Sequence, residues 1–153
     1  MLALRKPNVN DVDAMHQMMV PHVMSENLLP RSPRQIVENL RDYVIAEEDG
    51  RLVGLASLSL VECHLAELGA VVCLKPELLE RLVKVALDEA KSVGVHRVFV
   101  LAPEAAPYEA LGFSKVAIQS LPEKRDRQCL RCPRLPRCRQ VALEYSLEGS
   151  PKT

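Results

Sequence analysis

The sequence predicts an α/β protein in which strands and helices alternate around a sheet, and three observations predict it. Arg97-Val98-Phe99-Val100-Leu101 reads as a buried strand, Ala105 to Leu111 as a short helix carrying Tyr108, and Phe113 to Ile118 as another strand. Gly112 supplies the backbone freedom to end that helix and re-enter the sheet. Tyr43 to Glu48 reads as a strand, Asp49-Gly50 as a tight hairpin turn, and Arg51 to Leu60 as the return strand, broken by Gly54. Leu78, Leu79, Leu82, Val83, Ala86 and Ala90 then fall on one stripe of an amphipathic helix that Gly94 ends.

The remaining elements follow in order. Leu2 to Lys6 is a short strand closed by Pro7. Asn10 or Asp11 can cap a helix from Asp11 to about Met24, whose apolar face is Val12, Met15, Met19 and Val23 and whose end Pro21 bends or shortens. Ser32 can cap the next helix, with Pro33 at its first position. Residues 61–64 link the return strand to another strand, Ala66 to Cys73. Val141 to Leu147 alternates and closes the sheet. Residues 1–147 are expected to form one domain, with an insertion at 124–139 and a frayed tail at 148–153.

Composition excludes several functions. Lys plus Arg equals Asp plus Glu at 20 each, so no bulk attraction to nucleic acid or membrane is expected. Aromatics are 3% of the chain, which leaves little for base stacking. No apolar run reaches membrane-spanning length, and Met1 to Lys6 does not read as an export signal. The five cysteines are therefore expected to be reduced or metal-bound in a cytoplasmic protein. The partners expected are small-molecule substrates, with a homodimer open.

The strand, short tyrosine helix, Leu111-Gly112-Phe113 and strand resemble the C-terminal half of the Gcn5-related N-acetyltransferase (GNAT) fold. The Asp49-Gly50 turn followed by Leu52-Val53-Gly54-Leu55-Ala56 is also common in that family. Within it, Val93-Gly94-Val95-His96-Arg97-Val98-Phe99-Val100-Leu101, the segment at Leu28 to Ser32, and Leu121-Pro122-Glu123 are similar to the acetyltransferase domain of N-acetylglutamate synthases. The resemblance covers roughly Leu2 to Glu123 and resumes over Val141 to Leu147. It implies a mixed, twisted sheet of six or seven strands with helices on both faces. The implied activity moves acetyl from acetyl-CoA to the amine of L-glutamate or a similar amino acid, in a short form without the amino-acid-kinase domain.

The resemblance also assigns residues. Glu67 matches a glutamate that deprotonates the acceptor amine, a step any alkylammonium needs before it can attack; a solvated strand-end carboxylate is the alternative. Tyr108 matches the acid that protonates the departing thiolate. Val71, Val72 and Cys73 fall where backbone amides pair with the pantetheine arm. Arg31 matches an arginine that grips an acceptor carboxylate, for which a guanidinium fork is well shaped; otherwise it is a solvated loop arginine. His64 falls near a basic substrate-side residue, and Arg137 or Arg139 near a second carboxylate-binding arginine.

One departure weakens the assignment. The family joins the strand ending at Cys73 to the next helix through a glycine-rich loop that wraps the CoA pyrophosphate. Here Leu74-Lys75-Pro76-Glu77 leads directly into the helix, and no glycine lies between Gly69 and Gly94. CoA then binds weakly, or is held by other groups such as Lys75, or the chain is an inactive GNAT-fold binding or regulatory protein. Separately, Cys129, Cys132 and Cys138 lie in an insertion containing Arg127, Arg131, Arg134, Arg137 and Arg139. A closed zinc site needs four ligands, so Cys63, Cys73 or His64 would have to complete it. Zn, an Fe–S centre and free thiols all remain open for this hairpin.

Overall fold

The computed structural model describes residues 1–24, 30–117 and 141–147. It holds a mixed seven-stranded sheet in the order β1-β2-β3-β4-β5-β7-β6. The strands are β1 (Leu2–Arg5), β2 (Tyr43–Glu48), β3 (Arg51–Glu62), β4 (Leu65–Cys73), β5 (Arg97–Ala102), β6 (Ser114–Val116) and β7 (Val141–Ser146). The helices are α1 (Val12–Met24), α2 (Pro33–Glu38), α3 (Leu78–Ser92) and α4 (Ala106–Glu109). The chain divides into two compact units, Met1–Ser59 with Leu68–Glu89, and Leu60–Glu67 with Ala90–Thr153.

In the first unit β1 pairs antiparallel with β2, and β2 with β3. Asp49 and Gly50 take φ of 53° and 79°, the two left-handed residues of a turn whose twist matches the strands it joins. Val12, Met15 and Met19 of α1 and Ile36 of α2 pack on Tyr43, Ile45, Leu55, Ala70 and Val72. Each such large side chain removed from water is worth about 1.5–3 kcal/mol, so this layer fixes where β2, β3 and β4 present their other groups. Gly54, read from sequence as a break in β3, instead makes room. A Cβ there would lie 3.2 Å from Leu82 and 3.4 Å from Leu78, both on α3, and 3.1 Å from the Val72 carbonyl.

The cap of the first helix differs from expectation. Asn8, not Asn10 or Asp11, accepts from the Asn10 amide at 2.8 Å, while the Asp11 carboxylate takes the Asn8 amide at 2.7 Å. A single 3-10 turn, Val9–Asp11, precedes α1, which moves the cap back along the chain. Arg5 holds Asp11 by two bonds of 2.9 Å and so keeps the Asp11 carboxyl below its usual range. Pro21 does not end α1, which runs on to Met24.

In the second unit β5 and β6 both pair antiparallel with β7. Arg97 on β5 clasps Glu144 on β7 at 2.9 and 3.1 Å. Leu65, Phe99 and Ala142 form its buried centre. The tyrosine helix is shorter than expected, and β5 starts at Arg97 and runs one residue further, to Ala102. Half of residues 61–64 is strand: β3 continues through Glu62, leaving Cys63 and His64 in the turn. Gly112 is required twice, by its φ of 100° and because a Cβ there would meet the Tyr145 ring at 3.0 Å.

Candidate active site

Arg31 sits immediately before α2, and local chemistry fixes where it leaves the chain. The Ser32 hydroxyl accepts from the Gln35 amide at 3.2 Å, the Gln35 side chain accepts from the Ser32 amide at 2.8 Å, and Pro33 starts the helix. This reciprocal cap holds the segment against rotation. The guanidinium then reaches over β2 and β3. Its Nη1 donates to the Tyr43 hydroxyl at 2.7 Å and to Ser57 Oγ at 3.5 Å, and its carbon lies 5.9 Å from the Tyr43 ring centre. Tyr43 and Ser57 are directly opposite one another across the two strands, so both side chains rise from one face.

No carboxylate among the described residues forms an ion pair with Arg31. Asp42, whose burial pushes its carboxyl above the usual range, takes a bond from Ser59 Oγ at 3.4 Å instead. Arg31 is half-buried; it donates to two hydroxyls and makes no direct ion pair among the described residues, though its charge acts on Asp42 and lowers that carboxyl. Gly69 on β4 gives the fork its space: a Cβ there would lie 3.1 Å from Arg31 Nη2 and 3.1 Å from Ser57 Oγ. The sequence reading missed Tyr43, Ser57 and Gly69. A glycine inside a strand often marks the close approach of another group, and that was the available signal.

Farther along β4, Ala70 adopts φ 25°, a conformation L-residues rarely hold. The regular pleat is therefore interrupted just before Val71, Val72 and Cys73, the residues whose amides the resemblance assigns to pantetheine. Strain of this kind persists only where surrounding packing over-determines it. Burial pushes the Cys73 thiol up to about 11, so it stays protonated near neutrality and is not poised as a nucleophile.

The junction after β4 is occupied by its own chain. The Leu74 amide donates to the Val53 carbonyl at 2.9 Å, Leu78 to Lys75 at 3.0 Å, and Leu79 to Pro76 at 3.2 Å. Pro76 has no amide to give. Lys75, the expected phosphate partner, is ion-paired with Glu48 of β2.

In the second unit Tyr108 is buried, with its ring edge-on to Phe113 at 5.6 Å; Phe113 in turn lies 5.2 Å from Tyr145. The Phe113 amide donates to the Tyr108 carbonyl at 3.1 Å, which closes the turn around Gly112. Glu67 is half-buried near the start of β4. His64 occupies the β3–β4 turn with its ring 6.3 Å from that of His96, and its carbonyl accepts from the Arg97 amide at 3.2 Å. Arg137, Arg139, Cys129, Cys132 and Cys138 lie outside the described residues. Among the described residues no group of three or more His, Cys, Asp and Glu could hold a metal ion, and Cys63 and Cys73 are free thiols.

No family model matches the chain. It is 24% identical over 148 residues to an uncharacterised N-acetyltransferase of Chlorobaculum tepidum, covering 94% of this chain and 96% of that protein. It is 25% identical over 126 residues to the amino-acid acetyltransferase of Vibrio vulnificus, covering 78% of this chain but 28% of that longer enzyme. The N-acetylglutamate synthase of Neisseria gonorrhoeae, solved with coenzyme A and N-acetyl-glutamate, superposes with a TM-score of 0.84 at 23% identity, over 97% of this chain and 35% of that one. No helix among the described residues is long and apolar enough to cross a membrane. The chain folds as a Gcn5-related N-acetyltransferase domain, similar to that of the N-acetylglutamate synthases.

Proposed function

We propose that this chain is an acetyl-CoA-dependent N-acetyltransferase acting in the cytoplasm on a small amino acid, with L-glutamate, and so arginine biosynthesis, the leading candidate. Relatives named as N-acetyltransferases and a structural neighbour solved with coenzyme A support the enzyme class and the co-substrate. One observation carries the acceptor class: the Arg31 guanidinium is fixed by Tyr43 and Ser57 and pairs with no carboxylate of the described chain. A half-buried cation with no direct ion pair among the described residues favours an anionic group brought by the substrate.

In this reading the acceptor carboxylate lies on Arg31. Glu67, directly or through a water, takes a proton from the acceptor ammonium, because only the free amine carries the lone pair that attacks the thioester carbonyl. Tyr108 gives a proton to the departing thiolate, and His64 is a further substrate-side group. Arg137 or Arg139 completes the grip on a second carboxylate. The amides of Val71, Val72 and Cys73 align the pantetheine arm.

Incubating the protein with acetyl-CoA and single amino acids, and following free thiol together with acetylated product by mass spectrometry, tests this. L-Glutamate or another carboxylate-bearing amine should be acetylated. Absence of product with every amino acid would favour a second reading, a GNAT-fold binding protein that has lost catalysis. That reading has its own observation: the β4–α3 junction has no glycine, its Leu78 and Leu79 amides are bonded within the turn, and Lys75 is paired with Glu48.

A further inference from the structure

We propose that Tyr43 and Ser57 bind the acceptor carboxylate directly, as hydroxyl donors beside Arg31, and that they set the preference for a carboxylate over a neutral amide. This rests on the acceptor class proposed above. Both side chains are 1% exposed, and both accept from Arg31 Nη1. A hydroxyl that accepts a hydrogen bond still has its own proton to give. Neither proton has an acceptor among the described residues, and Arg31 Nε and Nη2 donate to none of them either. The cluster is therefore composed of donors. Leaving a buried donor without a partner is unfavourable by about 1–3 kcal/mol. A carboxylate is the acceptor-only group that satisfies several such donors at once, whereas a carboxamide offers one acceptor oxygen and no negative charge to meet the guanidinium.

The placement follows from the fold. Tyr43 and Ser57 face each other across β2 and β3, the Tyr43 ring belongs to the cluster of Met15, Met19 and Ile36, and the missing Cβ of Gly69 lets Arg31 and Ser57 come close to β4. The hydroxyls are thus set before a ligand arrives, which lowers the ordering cost of binding.

The test uses the full chain and three probes: L-glutamate, L-glutamine and the α-amide of L-glutamate. Binding is followed by calorimetry, and turnover with acetyl-CoA where it occurs. Tyr43→Phe keeps the packed ring, and Ser57→Ala removes a single oxygen. Each should weaken L-glutamate by about tenfold, the size of one charge-assisted hydrogen bond, while leaving the melting temperature and the KM for acetyl-CoA in place. The loss should vanish for whichever amide replaces the gripped carboxylate. Folded Tyr43→Phe and Ser57→Ala proteins that bind L-glutamate like the wild type would overturn the proposal, as would a wild type that binds none of the probes. Were acetyl transfer absent but L-glutamate binding sensitive to both substitutions, the transferase reading would fail and this one would stand. Were transfer present with an unchanged acceptor KM in both variants, this proposal would fail alone.

Discussion

Two stretches of the first unit, both beside β4, handle charge in opposite ways. Around Gly69 a guanidinium is held by two buried hydroxyls and has no anion from the described chain. Past Cys73 a lysine already has its anion, Glu48, and two amides of the turn are bonded to carbonyls three residues back. In the proposed function the first receives a ligand's negative charge. The second is bonded within its own chain, at the junction where the resemblance led us to expect a pyrophosphate. The lesson is that a charged residue at a binding position is informative only together with its partners. Arg31 and Lys75 are both cations at positions of interest, and among the described residues only Lys75 is in a direct ion pair.

The largest effect expected from breaking this contrast is at Arg31. Arg31→Ala should raise the KM for an acidic acceptor by about 10–100-fold, as the loss of one charge-assisted pair, and leave the KM for acetyl-CoA alone. Steady-state kinetics with each substrate varied in turn checks this, and equal effects on both would make Arg31 structural. Tyr108→Phe lies outside both stretches and serves as the control on chemistry. It should lower kcat by about 10–100-fold, the lower range of general-acid effects, with both KM values held; an unchanged chemical rate in a rapid-quench experiment would remove Tyr108 from the reaction.

Smaller effects sharpen the comparison. Gly69→Ala puts a methyl 3.1 Å from Arg31 Nη2, so the end of that flexible side chain must shift by a few tenths of an ångström. The acceptor KM should rise by roughly threefold to tenfold, since a fraction of one charge-assisted bond is lost. The smallest change should come from Glu48→Gln. It frees Lys75 and removes a carboxylate that competes with phosphate, so acetyl-CoA should bind a few-fold tighter, about the worth of an exposed ion pair. Calorimetry at two salt concentrations would read this, and weaker binding in Glu48→Gln would mean that the pair organises the junction rather than blocking it.

Much of the architecture was legible because periodicity reports burial. The stripe from Leu78 to Ala90, the Asp49-Gly50 turn and the Ser32-Pro33 start of α2 all lie where local rules place them. Element ends were less legible. Asn8 took the cap because a 3-10 turn intervened, and β3 ran two residues past Leu60, to Glu62. The resemblance singled out Arg31, but its setting was not readable. Tyr43 reads as a strand aromatic and Ser57 as one polar residue among Ala56 and Leu58. Only cross-strand register shows that the two hydroxyls converge, and the left-handed φ of Ala70 has no signature in an alanine at all.

The central claim is that Arg31 makes this chain an acetyltransferase of carboxylate-bearing amines. It is tested most directly by initial rates of acetyl transfer from acetyl-CoA to L-glutamate and to its two mono-amides, in the wild type and in Arg31→Ala. The account predicts that the wild type favours L-glutamate over at least one amide by about tenfold or more, and that Arg31→Ala turns over that pair at similar, low efficiency. A wild type indifferent to the loss of either carboxylate, or an Arg31→Ala protein that keeps the full preference, would contradict it.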